Sequence, residues 1–194
     1  LDSSNDIYVV GETRGGMDNN TNSGDKDIFL VKYNSSGTRQ WTQQLGTSSE
    51  DVGYGVALNS SGEIFVTGMT YGALTGTNSD YKGSSDIFLV KYNSSGVRLW
   101  TKQLGTASED VAYGLTVDSD GYIYLTGYTK GNPWNLTGNP DNESNSGNTD
   151  AFLLKHYDNS SLAPHWTVLL GTSSAEVGRS VTVDSSNNLY LTGD

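Results

Sequence analysis

Short apolar runs, separated by polar turns, recur along the chain in a fixed order. One unit contains the runs Val52–Leu58, Ile64–Gly68, Ile87–Tyr92 and Arg98–Leu104. The third run is apolar at nearly every position, which is typical of a strand covered on both faces. No segment sustains the 3.6-residue apolar period of a helix, so the pattern predicts four β-strands per unit and no helices.

The first strand of each unit alternates large and small side chains. In Val52–Leu58 the residues Val52, Tyr54, Val56 and Leu58 alternate with Gly and Ala. Since successive side chains of a strand point to opposite faces, we expect the four large residues on one face and an almost bare second face. A strand of this kind can pack closely against a neighbouring strand.

Three copies of one segment organise the chain: Asp27–Gly46, Asp86–Gly105 and the looser Asp150–Gly171. Each copy carries one Trp, and these lie roughly 60 residues apart: Trp41, Trp100 and Trp166. A period of this length, with four short strands per unit, predicts the four-stranded antiparallel blades of a β-propeller, with the Trp covering the gap between blades. A solenoid is the competing interpretation, but solenoid repeats of about 20–45 residues end in capping units, which this sequence lacks.

The repeats divide the chain approximately into residues 1–46, 47–105, 106–171 and 172–194. Three copies are too few for a ring, because propellers have about four to eight blades. Two chains that closed one ring would duplicate strands, since Val183–Asp194 aligns with Leu1–Glu12. We therefore expect an all-β fold, an open arc of about three blades with partial blades at both ends, cut from a longer propeller.

The strings DIFLVKYNSSG, WTKQLGT and EDVAYGLTVDSDGYIYLTGYT resemble the SBBP-type β-propeller repeat, a family found mostly in bacterial and archaeal secreted or surface proteins. The resemblance covers essentially the whole chain. The third copy departs from it where Ala163, Pro164 and His165 replace a glycine-containing turn. The resemblance implies a propeller fold and an extracellular or cell-surface location, and it implies no single activity.

The composition narrows the choice of partners. The net charge of −11 disfavours binding to nucleic acid and to anionic membrane surfaces, and no apolar run approaches the length of a membrane helix. Divalent cations, neutral glycans, further blades and other protein subunits are more compatible partners. The chain has no cysteine, which excludes disulfides and thiolate metal sites.

Acidic residues precede the first strand of each unit, and carboxylates are the ligands that Ca²⁺ prefers. We treat them as candidate calcium ligands, with a solvated acidic rim as the alternative: Glu50, Asp51, Glu109, Asp110 and Glu176. The turn Asp118–Gly121 resembles the start of an EF-hand loop, but Thr129 stands where that loop needs Glu. It is interpreted as a turn.

The copies differ most in the loops Glu12–Lys26, Met69–Ser85 and Tyr128–Thr149, as binding loops on a rigid scaffold do. The third loop combines an aromatic ring with amides, a combination suited to sugars. It supplies the candidate ligand-binding residues Trp134, Asn135, Asn139, Asp141 and Asn142. The alternative is that Trp134 anchors its own loop.

Two residues of the third strand recur in every copy and favour a structural role. The Asp is expected to bond backbone amides, and the Lys to pair with a nearby carboxylate. They are Asp27, Asp86 and Asp150, followed by Lys32, Lys91 and Lys155. Seven Asn-X-Ser/Thr sequons permit glycosylation, although composition and repetition explain most of them: Asn19, Asn34, Asn59, Asn93, Asn135, Asn142 and Asn159.

Catalytic motifs are not recognised. The two histidines, His156 and His165, have no nucleophile motif beside them. The sequence therefore predicts a non-enzymatic propeller module that serves as a structural or binding scaffold at the cell surface or in a surface assembly. A lectin-like carbohydrate binder is the first alternative, and a fragment of a propeller glycosidase or lyase is the second.

Overall fold

The computed structural model describes residues 1–76, 81–132, 145, 147–158 and 165–194. These residues form antiparallel strands in four sheets. The first sheet contains β1 (Ile7–Thr13), β2 (Asp27–Tyr33) and β3 (Arg39–Leu45). The second contains β4 (Asp51–Leu58), β5 (Ile64–Thr70), β6 (Asp86–Tyr92) and β7 (Arg98–Leu104).

The third sheet repeats the second, and the fourth is a pair of strands. The third contains β8 (Asp110–Val117), β9 (Ile123–Thr129), β10 (Asp150–His156) and β11 (Trp166–Leu170). The fourth contains β12 (Gly178–Val183) and β13 (Leu189–Gly193). Among residues 1–76, 81–132, 145, 147–158 and 165–194 no helix occurs, and thus none long and apolar enough to cross a membrane.

The sheets are arranged as a fan of blades. Backbone contacts between neighbouring sheets concentrate on the innermost strands, β4, β8 and β12, and decrease toward the outermost strands. The sheets do not close into a ring. The predicted all-β propeller arc of four-stranded blades, with partial blades at both ends, is confirmed.

Strand boundaries differ from the sequence prediction where the second strands end. β5 and β9 continue to Thr70 and Thr129, so that Met69 and Tyr128 lie within strands and not in loops. The cause is pairing with the third strand, since Asp86 and Asp150 pair with those two threonines. Tyr128 is thereby held on a rigid element.

The predicted face of the first strand is wrong because each innermost strand contains a β-bulge. In β4 the register passes from Gly53 to Gly55 and skips Tyr54. A Cβ on Gly53 would lie 2.5 Å from Val10 Cγ2 in the first sheet, whereas one on Gly55 would lie 3.1 Å from Leu115 Cβ in the third. The two glycines thus face opposite neighbours, and a bulge redirects the residue between them.

Side chains from adjacent sheets fill two seams. In the first seam, between the first and second sheets, Phe88 belongs to an apolar cluster against which Trp41 packs. In the second seam, between the second and third sheets, Phe152 belongs to an apolar cluster against which Trp100 packs. Both phenylalanines are fully buried, and the strand β6 is buried at every position, as predicted. The tryptophans of the outermost strands therefore cover the seams.

The recurring Asp and Lys of the third strand bind other residues of the fold. Asp86 is fully buried, and its Oδ2 accepts hydrogen bonds from Lys82 N at 2.9 Å and from Gln103 Nε2 at 3.0 Å. Lys91 lies 2.7 Å from Glu63 Oε2. Burial alone would lower the pKa of Lys91, but the carboxylates of Asp158 and Glu63 raise it. The structural interpretation of this pair holds in the second blade.

Backbone bridges also join the blades. Asp51 N donates to Lys26 O at 2.8 Å, and Asp110 N donates to Ser85 O at 2.9 Å. Each bond ties the beginning of an innermost strand to the beginning of the preceding blade's third strand. The spacing between blades is therefore fixed at the level of the main chain.

Candidate functional site

Three bulge residues occupy equivalent positions on the innermost strands, and we call Tyr54, Tyr113 and Arg179 the inner row. The register of each strand pair skips them. Tyr54 is 40% exposed and Arg179 is exposed, while Tyr113 between them is half-buried. Because bulges re-aim side chains and are frequent beside functional sites, this row is the first candidate for ligand contact.

The rings of the inner row touch one another across blades. Tyr54 and Tyr113 have centroids 4.9 Å apart with planes inclined by 59°. Tyr128, on β9, has its centroid 6.0 Å from that of Tyr113. The guanidinium carbon of Arg179 lies 5.2 Å from the centroid of Tyr113, within the range of a cation–π interaction. Partial burial and the neighbouring Tyr113 raise the pKa of Tyr54.

Charged side chains flank these rings. The Tyr128 hydroxyl donates to Glu109, and Lys130 Nζ lies 3.0 Å from Glu109 Oε2. Both contacts lower the pKa of Glu109, the tyrosine bond more than the lysine. The carboxylate therefore remains ionised, and it holds the Tyr128 ring in place.

Sequence reasoning missed the inner row. The alternation in Val52–Leu58 placed Tyr54 among the residues expected on one packed face, whereas the bulge exposes it. A signal was present in the sequence, because small residues flank all three positions, as in Gly53-Tyr54-Gly55. Small neighbours allow the close backbone approach of adjacent blades and leave the middle side chain as the one that projects.

The candidate calcium ligands are engaged separately. The carboxylate of Asp51 accepts hydrogen bonds from Thr47 N at 2.6 Å, from Thr47 Oγ1 at 2.9 Å and from Thr70 Oγ1. Asp110 makes the same three bonds with Thr106 and Thr129. Burial raises the pKa of both aspartates. Both side chains therefore cap the loop that enters an innermost strand.

The glutamates of this set also have protein partners. Glu50 Oε1 lies 2.8 Å from Lys26 Nζ, and Glu109 pairs with Lys130. Glu176 accepts from Thr172 N at 2.8 Å, as Asp51 does from Thr47. Within the described ranges of the chain, no three His, Cys, Asp or Glu side chains converge as a metal site. Calcium binding stays a prediction, and the described geometry offers it no set of ligands.

Other predicted positions fall outside the described residues or serve turns. All five loop candidates lie outside them: Trp134, Asn135, Asn139, Asp141 and Asn142. The sequons at Asn135, Asn142 and Asn159 also lie outside them. In the remaining repeated turns the Asn side chain accepts backbone hydrogen bonds; Asn93 Oδ1, for example, accepts from Ser95 N at 3.0 Å. Asp118 acts in the same way, which makes Asp118–Gly121 a turn between β8 and β9.

The two histidines lie in different environments. His156 is fully buried in the second seam, with its Nε2 3.4 Å from Lys102 Nζ. Lys102 is 2% exposed, and burial lowers its pKa to about 8. His165 is exposed, and its Nε2 lies 3.2 Å from the Tyr157 hydroxyl.

Fan-like sheets that meet at bulged innermost strands define the chain as a β-propeller scaffold. Comparison with known families agrees with this fold, because the Beta-propeller repeat family SBBP matches residues 40–74, 99–134 and 165–194. The chain belongs to this family. Each match begins at or within the outermost strand of one blade, the third one residue before β11, and runs through the first two strands of the next blade. The sequence repeat is therefore offset from the blade.

Two curated proteins are similar to most of this chain. The Regulatory protein FlaEY of Caulobacter vibrioides is 28% identical over 160 residues, which cover 76% of this chain and 16% of that protein. An uncharacterized WD repeat-containing protein of Acanthamoeba polyphaga mimivirus is 29% identical over 162 residues, 75% of this chain and 11% of that protein. The chain thus spans less than a fifth of the length of either relative.

Proposed function

We propose that this propeller is a non-catalytic scaffold that binds a partner protein through its inner row, outside the cell or at its surface, as part of a surface assembly. The observation that carries the proposal is the inner row itself. The buried core residues are nearly identical from blade to blade, whereas the innermost strands present the exposed Tyr54 and Arg179 with the half-buried Tyr113 between them.

The residue types favour a protein partner. Tyr and Arg are enriched among the residues that dominate the energy of protein–protein interfaces. Tyr113 is supported from two sides, by Tyr54 and by the guanidinium of Arg179, and therefore loses little conformational freedom on binding. The pairs Glu109–Lys130 and Glu50–Lys26 supply a charged rim around the rings.

The relatives are compatible with a scaffold role. One is named as a regulatory protein and the other as a WD repeat-containing protein. Neither name describes catalysis. The location rests on the usual setting of the family and on the acidic surface of this chain, and it belongs to the proposal.

The proposal is tested with a photo-crosslinking residue, p-benzoylphenylalanine, placed at Tyr113 in the protein as its own cells produce it. We expect one discrete crosslinked protein, and we expect it to disappear when Tyr54→Ser and Arg179→Ser are added. The matched control is Leu99→Ser with Leu170→Ser, two exposed apolar residues of the outermost strands. A crosslink that survives the inner-row changes, or that is equally lost in the control, would contradict the proposal.

Secretion of the protein is tested separately. Accessibility of the protein to an added protease in intact cells, with an internal cytoplasmic protein as reference, decides the location. Protection from the protease equal to that of the reference would refute the extracellular location. It would not affect the proposal that the inner row binds a partner protein.

A further inference from the structure

The third blade departs from the second at three positions that meet in space. Tyr122 precedes β9, Tyr157 follows β10, and His165 precedes β11. The equivalent residues of the second blade are Glu63, Asn93 and Leu99. Changes at the ends of three strands thus produce one ring cluster, which we call the blade-3 cluster: Tyr122, Tyr157 and His165.

The three rings form a continuous group. Tyr157 lies 5.1 Å from Tyr122 and 4.5 Å from His165 between centroids, inclined by 56° and 59° respectively. The planes of Tyr122 and His165 are close to parallel, at 19°, with centroids 6.5 Å apart. The Tyr157 ring is therefore steeply inclined to two rings of nearly the same orientation.

The cluster is held in place before any ligand arrives. Lys155 Nζ lies 3.6 Å from the centroid of Tyr122, whereas the equivalent Lys91 pairs with Glu63 at 2.7 Å. The ammonium group thus fixes the Tyr122 ring by a cation–π contact in place of the ion pair. The hydrogen bond between the Tyr157 hydroxyl and His165 Nε2 fixes the other two rings.

A polar cavity of about 350 Å³ opens beside these rings, lined by Asp120, Gly121, Tyr122, Tyr157 and Asp158. Its two carboxylates are anchored. Asp120 accepts from Asn187 Nδ2 at 3.1 Å, and Asp158 lies 2.6 Å from Lys91 Nζ. The volume is in the range of pockets that hold small molecules, and the walls combine ring faces with hydrogen-bond acceptors.

The charges around the cavity decide between classes of ligand. An anion would meet Asp120 and Asp158 on a chain of net charge −11. An organic cation would compete with the ammonium of Lys155, which already lies over Tyr122. A neutral polyhydroxylated ring meets neither objection, because its C–H face stacks on tyrosine and its hydroxyls donate to fixed carboxylates.

We propose that the blade-3 cluster and the adjoining cavity bind a neutral carbohydrate. The sugar ring stacks on Tyr122 or Tyr157, and its hydroxyls donate to Asp120 and Asp158. This site uses none of the inner-row residues, so it goes beyond the protein-binding function proposed above and does not depend on it.

The test is titration of the protein with cellotetraose, maltotetraose and chitotetraose, followed by calorimetry and by chemical shifts of backbone amides. We expect at least one tetrasaccharide to bind and to shift the amides of Gly121 and Asp158. The double variant Tyr122→Glu, Tyr157→Asn installs the residues of the second blade, and we expect it to weaken binding by about tenfold or more. The inner-row variant Tyr54→Ser, Tyr113→Ser is the matched control and keeps full affinity.

No binding of any of the three sugars, or unchanged affinity in the double variant, would overturn the proposal. Binding of phenyltrimethylammonium with loss in the double variant would also overturn it, in favour of a cage for cations. If the double variant fails to fold, His165→Leu alone, a change at an exposed position to the residue of the second blade, tests the same cluster.

Discussion

The second and third blades share buried residues of the third strand and differ in residues at the ends of strands. In both, the third strand begins with a buried Asp and contributes a fully buried Phe, Phe88 or Phe152. In the second blade Lys91 meets Glu63, whereas in the third Lys155 lies over the Tyr122 ring. The comparison indicates that the buried Asp and Phe of the third strand are repeated because packing requires them, while the residues at the strand ends diverge because packing does not require them.

The two seams differ at two positions that are buried in the second seam. Two residues after its Trp, the outermost strand has Gln43 in the first seam and Lys102 in the second. Tyr92 of the first seam is replaced by His156 in the second. The second seam therefore contains two buried ionisable groups where the first has neutral side chains at neutral pH, and the seams are expected to respond differently to pH.

The largest effect is expected from removal of the repeated core. Phe88→Ala and Phe152→Ala each lose a fully buried ring and leave a cavity, so each is expected to lower the free energy of unfolding by about 3–5 kcal/mol. Urea denaturation followed by tryptophan fluorescence measures both. Because the frame is shared, the two values should be similar. A loss below about 1 kcal/mol in either variant would show that its seam is not packed as described.

Lys102→Gln is expected to stabilise the protein at pH 7 by about 1–3 kcal/mol, since it replaces a buried ammonium by the residue of the first seam. Burial lowers the pKa of Lys102 to about 8 from an ordinary value of 10.5. The folded state thus binds this proton less tightly than the unfolded chain, so the cost is complete below pH 8 and is relieved as the pH rises toward 10.5.

Denaturation at pH 7, 8, 9 and 10 measures the difference in the free energy of unfolding between Lys102→Gln and the unmodified protein. This difference should shrink as the pH rises. Lys130→Gln, at an exposed lysine, is the control and should show no trend between pH 7 and 9. The titratable groups that act on Lys102 or contact it, namely Lys91, Asp158 and His156, are the same in the variant and in the unmodified protein. A gain that stays constant with pH would refute the assignment of the cost to the buried charge.

Tyr122→Glu gives the third blade the residue that the second blade has at the equivalent position, Glu63. The new carboxylate can pair with Lys155 as Glu63 pairs with Lys91, so the free energy of unfolding should change by less than about 1 kcal/mol. Thermal and urea denaturation measure it. A loss comparable to that of Phe152→Ala would make Tyr122 part of the frame and weaken its role as a ligand contact.

The smallest effect is expected from chelation. Asp51 and Asp110 are saturated by threonine donors, so adding EDTA should leave the Tm unchanged within about 1 °C. A clear fall of the Tm on chelation, reversed by Ca²⁺, would show that the acidic residues before the innermost strands do hold calcium.

Much of the fold could be predicted from the sequence because the repeat states the same pattern several times. The strands, the turns and the seam-covering role of Trp41 and Trp100 follow from apolar periodicity and from the Gly and Asn of the turns. The extent of β5 and β9 was missed because main-chain pairing with Asp86 and Asp150 extends these strands into polar sequence.

The candidate sites were less predictable for physical reasons. A bulge shifts the alternation by one residue, so Tyr54 was assigned to a packed face that it does not occupy. The blade-3 cluster depends on contacts between strand ends more than 30 residues apart in sequence, such as Tyr122 and Tyr157. Residue types suggested aromatic binding, but only tertiary structure shows which rings meet.

The most direct test of this account measures stability and partner binding on one variant, Tyr54→Ser, Tyr113→Ser, Arg179→Ser. We predict a free energy of unfolding within about 1 kcal/mol of the unmodified protein and loss of the partner captured by the inner row. Collapse of the fold would place these residues in the frame. Unchanged capture of the partner by the stable variant would contradict the claim that the inner row carries the binding.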